Sequence, residues 1–415
     1  MPVAAPAPRF GVNYTPSVDW MFQWIAVDPA VVRADFAAIA ALGFDHVRVF
    51  PLWPVLQPNR TMIRTRALDD VATVVQIGHD CGLTVYVDVI QGHMSGYDFV
   101  PAWLLNWHDG NMFTDSGAVE AQGRLVRALR DRLADVPGFG GLTLGNETNQ
   151  FVDDPNPGKM PATPQQVSAW LEGTIGSAAM PAGTVIAHST NDHAWYRDGH
   201  PFQPRHVTEH GDVSTVHSWI FNGTAARYGG LAEESTRHGE YLIELARAFA
   251  VDADRPVWLQ EIGAPDNCLT DEEAPEFAAR AVAAALTTQN LYGITWWCSH
   301  DIPDSLSDFK SLEYGLGLLR TDQQVKPIGA RLAEVIADAR ANPIEVPVRT
   351  TAVRIDVDAD GVPLSRPALG PGGEVFETWH RHRKNGATPA LVTSSDAADP
   401  ARLAARGIES IVAVA

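Results

Sequence analysis

Eight short apolar runs, each followed by a segment with helical periodicity, predict an α/β fold: a (β/α)8 TIM barrel. A smaller repeat of the same pattern after residue 343 predicts a small C-terminal α/β subdomain. The runs begin near Phe10 (FGVNY), His46 (HVRVF), Leu83 (LTVYVDV), Phe139 (FGGLTLGNE), Thr184 (TVIAHST), Ser214 (STVHSW), Val257 (VWLQEIG) and Gly293 (GITWWCSHD). Their spacing of roughly 30 to 55 residues suits a strand, a helix and two connections, and eight such units close a barrel. An open doubly wound sheet is the competing architecture, and the count of eight argues against it.

The intervening segments carry helix punctuation. Asp28 is placed as an N-cap with Pro29 at the first helical position, AVVRADFAAIAAL has an apolar face, and Gly43 ends it. A second helix is predicted from about Arg66 to Cys81, stopped by Gly82, and others near 118–134, 164–179, 235–250, 275–289 and 328–340. The barrel is therefore assigned to residues 9–343. Residues 344–415 then read as strand (TTAVRIDV), helix (GGEVFETWHRHRKNG), strand (PALVTSSDA), helix (DPARLAARG) and strand (IESIVAVA). Their Pro- and Gly-rich middle carries no phosphate-binding fingerprint, so this unit is expected to pack on the barrel or on another subunit.

Composition removes several classes of function. A chain of 415 residues with a formal charge of −19 repels nucleic acid and anionic lipid, since phosphate binding needs Lys and Arg clusters. Cys81, Cys268 and Cys298 have no metal or CxxC spacing, so neither a disulfide framework nor a zinc site is expected. MPVAAPAPRF lacks the basic and apolar regions of a secretion signal, and no run is long enough to span a membrane. The expectation is a cytoplasmic protein with no cofactor and no metal, acting on a small neutral partner. Whether several copies assemble is left open.

Catalytic groups in such a barrel come from the C-terminal ends of several strands. Here LTLGNETNQF turns from buried strand to Asn146 and Glu147, and WLQEIG ends the seventh strand on Glu261. Strands four and seven lie nearly across the barrel from each other, so the two carboxylates can face a common centre. Such a pair cleaves glycosidic bonds, one group protonating the leaving oxygen while the other attacks the anomeric carbon or activates water. Arg48, near the end of HVRVF, is placed to keep Glu261 ionised, which leaves Glu147 as the proton donor. His93, His217 with Trp219, and Trp296 with Trp297 also fall at or near strand ends. A pyranose needs flat apolar area and a few directed polar groups, which these supply. Trp53, Trp103, Trp107 and Trp195 lie in or beside predicted loops, about half of them as packing anchors.

GNE at strand four, QEIG at strand seven, RVF at strand two, the His of HSW at strand six and the Trp of strand eight together resemble glycoside hydrolase family 5, in the clan of retaining (β/α)8 hydrolases. FGVNYTPS, HVRVFPLWPVLQPNRT, HSWIFNGTA, VWLQEIGAP and GITWWCSHDI resemble its subfamily 18 over roughly residues 9 to 340. The resemblance implies an exo-acting β-mannosidase on β-1,4-linked mannose at a non-reducing end, with mannosyl-N-acetylglucosamine from N-glycan cores as a substrate. It also implies roles: Glu147 as acid/base, Glu261 as nucleophile, and Asn146 on the sugar 2-hydroxyl. Arg48 and His217 would support nucleophile and pocket, Trp297 would lie under the sugar, and His93 would match the strand-three histidine. One departure is that Trp219 stands where the family usually has a tyrosine, which leaves the tyrosine contact to the nucleophile open.

The same strand-end set serves endo-β-mannanases, β-glucosidases and β-galactosidases of the clan. A non-catalytic sugar-binding barrel would not need both carboxylates. Long segments after strands four, five and eight, with Trp195 and Tyr196 in one of them, are expected to wall off a pocket.

Overall fold

The computed structural model describes residues 9–414 apart from 109, 153–155, 157, 177 and 343. Residue 343, where the barrel assignment ends, residues 1–8 of the N-terminal stretch, and part of the segment after strand four lie outside the described residues.

Eight parallel strands form one sheet: β1 (Phe10–Asn13), β2 (His46–Val49), β3 (Thr84–Asp88), β4 (Phe139–Thr143), β5 (Val185–Ala187), β6 (Ser214–Ser218), β7 (Val257–Ile262) and β8 (Leu291–Trp296). Their order is β5-β4-β3-β2-β1-β8-β7-β6, so the chain winds once around a barrel. Seven neighbouring pairs are joined by parallel ladders. At the remaining seam no ladder joins β5 to β6 among the described residues. There Asp212 N donates to Ile186 O at 2.8 Å and Thr215 Oγ1 to His188 O at 2.7 Å. The strands read as continuous apolar runs because a parallel sheet is covered on both faces.

Helices α1 (Pro29–Ala41), α2 (Thr65–Asp80), α3 (Ser116–Leu133), α4 (Pro164–Thr174), α5 (His238–Phe249), α6 (Ala274–Ala285) and α7 (Pro327–Ala341) surround the barrel. The expected start of α1 holds, with Asp28 accepting from Ala30 N at 2.8 Å, and Gly43 leaves it at a φ of 91°. Two boundaries differ from expectation. Helix α4 stops at Thr174 instead of 179, where Gly173 and Gly176 weaken helix propensity. The 235–250 segment is interrupted at Arg237, so a separate turn covers Glu233–Thr236.

The C-terminal residues form a second parallel sheet, in the order β10-β9-β11, from β9 (Thr351–Ile355), β10 (Ala390–Thr393) and β11 (Ser410–Val412). Helix α8 (Glu374–Lys384) covers it. This unit sits on α5 through buried charges: Arg349 reaches Glu240 at 2.7 Å and Glu244 at 3.3 Å, and Arg383 reaches Glu240 at 3.4 Å. Charges removed from water need such partners, since a lone one would carry the full desolvation penalty. No described helix is long and apolar enough to cross a membrane.

Candidate active site

Arg48 organises the strand ends. Its fully buried guanidinium donates from Nε and Nη2 to the two oxygens of Asp88, both at 2.9 Å. Nη1 reaches Glu261 Oε1 at 3.0 Å and Asn13 Oδ1 at 3.3 Å, while Nη2 also reaches Asn146 Oδ1 at 2.8 Å and Ser189 Oγ at 3.2 Å. Residues from β1, β2, β3 and β7 and from the turns after β4 and β5 thus converge on one planar cation, whose fork matches a carboxylate edge on.

Glu147 comes four residues after β4 and has a left-handed backbone, with a φ of 43° and a ψ of 44°. That conformation costs roughly 1–2 kcal/mol for a residue with a side chain, and it marks the abrupt turn out of the strand. The Glu147 carboxylate meets His217 Nδ1 at 2.7 Å through Oε1, and Gln150 donates to Oε2. Glu261 Oε2 accepts from Trp219 Nε1 at 3.1 Å and lies 3.3 Å from His217 Nδ1. The indole N–H therefore gives the nucleophile candidate the donor that the usual tyrosine would have given. One carboxylate oxygen from each glutamate and one nitrogen of His217 all lie within 4.8 Å of one another. That spacing would suit a cation, but Arg48 and Trp219 already occupy Glu261, and a neighbouring guanidinium opposes a second positive charge.

His217 is held as a double donor. Gln260 gives its amide N–H to Thr143 Oγ1 at 3.2 Å, which turns its oxygen toward His217 Nε2, also at 3.2 Å, while Nδ1 faces two carboxylates. Burial works against a charged ring, yet the charges of Glu261 and Glu147 outweigh it and raise the His217 pKa. Burial likewise pushes Glu147 up, but the hydrogen bond and charge of His217 prevail and hold it below the ordinary carboxyl value. For Glu261 burial prevails, aided by the charge of Glu147 and opposed by His217, Arg48 and Trp219, so its pKa is raised. In the unliganded site the two carboxyls are thus ordered opposite to the sequence expectation. The reason is Asp88, a buried carboxylate that shares the Arg48 charge, together with His217, which sits closer to Glu147 than to Glu261.

Trp297 packs edge-on against Phe50, with centroids 5.7 Å apart, and against Trp219 at 6.4 Å; its peptide to Cys298 is cis. Trp296 is buried in the hydrophobic core, and its indole N–H has no partner among the described residues. It makes none of the described ring contacts with these site aromatics. His93 lies outside β3, in a short antiparallel ribbon, His93–Met94 with Tyr97–Asp98, where its Nδ1 pairs with Asp98 at 2.8 Å. Asn146 reaches its carbonyl at 3.4 Å. Trp53, Trp103 and Trp195 are buried packing groups, and Trp107 is fully exposed.

The rim beside Glu261 is a cluster of aromatic rings. Phe309, after β8, lies 4.7 Å from Trp20 and 4.9 Å from Tyr97 between ring centroids, and Tyr97 donates to Ser307 O at 2.9 Å. Asn156, after β4, reaches Asp98 at 3.1 Å. Glu313 lies in the same post-β8 segment, hydrogen-bonded to Ser95, its pKa raised by burial and by the charge of Glu261. On the side of Glu147, burial pushes Asp192 up to about 7, against the help of Asn222 at 3.0 Å. The wall thus uses the segments after β1 and β3 as well as those after β4 and β8, while the post-β5 segment carrying Trp195 and Tyr196 turns toward the C-terminal unit.

No family model matches the chain, and no curated protein does. Solved structures do. A crystal structure of GH5_18 from Bifidobacterium longum subsp. longum is 47% identical, covers 98% of this chain and 97% of its own, and superposes with a TM-score of 0.95. A GH5_18 from Bifidobacterium longum subsp. infantis is 48% identical over 98% of this chain and 96% of its own, with a TM-score of 0.95. A glutamate-to-alanine variant of GH5_18 from Streptomyces cattleya, in complex with Manβ1-4GlcNAc, is 47% identical over 98% of each chain, with a TM-score of 0.96. Identity at this level over nearly whole chains, together with the two strand-end glutamates, means that the chain belongs to glycoside hydrolase family 5, subfamily 18.

Proposed function

We propose that the protein is a retaining exo-β-mannosidase that removes mannose from the non-reducing end of β-1,4-linked mannosides, with mannosyl-β-1,4-N-acetylglucosamine as its substrate. The observation that carries the substrate is the Manβ1-4GlcNAc bound to GH5_18 relatives of 47% identity. The stereochemistry rests on the carboxylates, whose nearest oxygens lie within 4.8 Å. Direct attack needs about 5 to 5.5 Å between the groups, whereas inversion needs about 6.5 to 9.5 Å to admit water.

Glu261, fixed by Arg48 and Trp219, attacks C1 and forms a glycosyl ester as the C1–O bond breaks. Glu147 gives its proton to the departing oxygen. In the free site that proton resides on His217 Nδ1, one hydrogen bond from Glu147 Oε1, and passes along it when substrate displaces water. Glu147 then takes a proton from water, whose oxygen attacks C1 and releases Glu261. The first-formed product should be β-mannose by proton NMR, and first-formed α-mannose would sink the retaining assignment.

The stored proton also sets a pH limit. The active form carries it, so activity is lost as pH rises through the raised value of His217. The alkaline limb of kcat/KM is therefore expected above about 6.5, the ordinary histidine value. A limb in the range of an ordinary carboxyl would place the proton elsewhere.

The exo reading rests on the aromatic rim that joins the segments after β1, β3 and β8. If it closes the site beyond the terminal sugar, mannan yields mannose from one end and its viscosity falls slowly relative to reducing sugar released. Early oligosaccharide products, or efficient cleavage of a substrate whose terminal mannose carries a further sugar, would refute exo action and leave the two-glutamate mechanism standing.

A further inference from the structure

The segment after β5 has two attachments that face opposite ways. Toward the active site, Asn191 and Asn149 form a reciprocal pair, Asn149 Nδ2 donating to Asn191 Oδ1 at 2.6 Å and Asn191 N to Asn149 Oδ1 at 3.0 Å. Asn149 is two residues from Glu147, so this pair ties the post-β5 segment to the turn that aims the acid/base carboxylate. The next residue, Asp192, accepts from Asn222 at 3.0 Å just beyond β6.

Away from the active site, the same segment is gripped by the C-terminal unit. The guanidinium of buried Arg366 donates from Nη1 to Arg197 O at 3.0 Å and to Phe202 O at 2.8 Å, and its backbone N–H reaches Asp198 Oδ1 at 2.8 Å. Gly370 lies flat against Tyr196, where an added Cβ would meet the ring at 3.1 Å. Tyr196 in turn reaches His238 at 3.1 Å, whose other nitrogen meets Ser218 Oγ at 3.0 Å on β6. A charged donor satisfying two buried carbonyls fixes a loop more firmly than its own turns can, because releasing it leaves both acceptors unpaired.

We propose that the C-terminal unit positions the leaving-group side of the active site, with Arg366 holding residues 191–202 so that Asn191 steadies the Glu147 turn and Asp192 borders the departing sugar. Arg366 touches no reacting atom, and it acts through the loop. The proposal rests on the reading of Glu147 as the proton donor. A shift of about 1 Å in a catalytic group is able to slow a reaction about 100-fold. That loss falls on the step needing the proton, so a leaving group that departs without one is largely spared.

The test compares kcat/KM on mannosyl-β-1,4-N-acetylglucosamine and on dinitrophenyl β-mannoside, using the full chain and its Arg366→Ala, Arg366→Lys and Asp198→Ala variants, with a melting temperature for each. Arg366→Ala is expected to lose about 10- to 100-fold on the disaccharide and less than about threefold on the aryl mannoside. Arg366→Lys should recover part of the loss, since an ammonium can still reach one of the two carbonyls. Asp198→Ala should shift the ratio in the same direction and carries the test if Arg366→Ala does not fold. Equal losses on both substrates, or an unchanged ratio with only a lower melting temperature, overturn the proposal. The ratio is taken on whichever β-glycoside the unaltered protein cleaves, so inactivity on mannosides sinks the mannosidase reading and an unchanged ratio sinks this one.

Discussion

Glu261→Ala is expected to lose at least about 10⁵-fold in kcat on every β-mannoside, whatever its leaving group, because no other described group is placed to form the glycosyl bond. The loss should be chemically reversible. Removing the carboxylate leaves the Arg48 Nη1 and the Trp219 N–H, 3.0 and 3.1 Å from its former oxygens, pointing into the vacated space. Those donors, with the room left by the shorter side chain, make a site for a small anion. Azide or formate should therefore restore turnover of dinitrophenyl β-mannoside, and with azide the product should be the α-mannosyl azide, formed by one inversion. A variant that still turns over at a substantial rate without added anion, or whose azide product is the β-anomer, would remove Glu261 from the nucleophile's role.

Glu147→Ala should fail selectively. It withdraws proton donation, worth about 10² to 10⁴ on a disaccharide whose leaving hydroxyl needs it. A dinitrophenyl group departs as a stable anion, so its release should stay within about tenfold of the unaltered rate. Azide should here accelerate the second step and give the β-mannosyl azide, because the ester to Glu261 forms first. The change also takes away the 2.7 Å partner of His217, leaving Glu261 as its nearest carboxylate at 3.3 Å, so the nucleophile should be more firmly ionised than before. Equal losses on both substrates would count against the division of labour between the two glutamates.

Most of the barrel could be read from the chain because strands covered on both faces are short unbroken apolar runs, and helices of this size carry visible caps such as Asp28 with Pro29. The end of α4 and the break at Arg237 could not, since both fall inside segments whose apolar periodicity continues past the boundary. At the site, Arg48, Asn146, Glu147, His217 and Glu261 stood out by position at strand ends. Asp88 and Asn13 occupy the same kind of position, in YVD and GVN, and applying the strand-end rule evenly would have found them. The ionisation order of the glutamates was beyond reach, because it depends on which carboxylate His217 leans toward, a difference of 2.7 against 3.3 Å. Distances across a barrel mouth leave no trace in local spacing. Ser189, Gln260 and Glu313 likewise carry no local signal, and become visible only when the strands are assembled.

The seam between β5 and β6 gives the barrel a direction of weakness. Seven junctions are sewn by ladders, whereas this one is stitched by one backbone bond and one threonine hydroxyl among the described residues. The molecule is a rolled sheet whose two free edges have been brought together. Glu147 follows β4, the strand next to one edge, and His217 lies on β6, the other edge itself. A slight parting of the edges would therefore pull the proton store away from the acid it serves before any ladder is broken. The fold would remain, with its catalytic pair uncoupled.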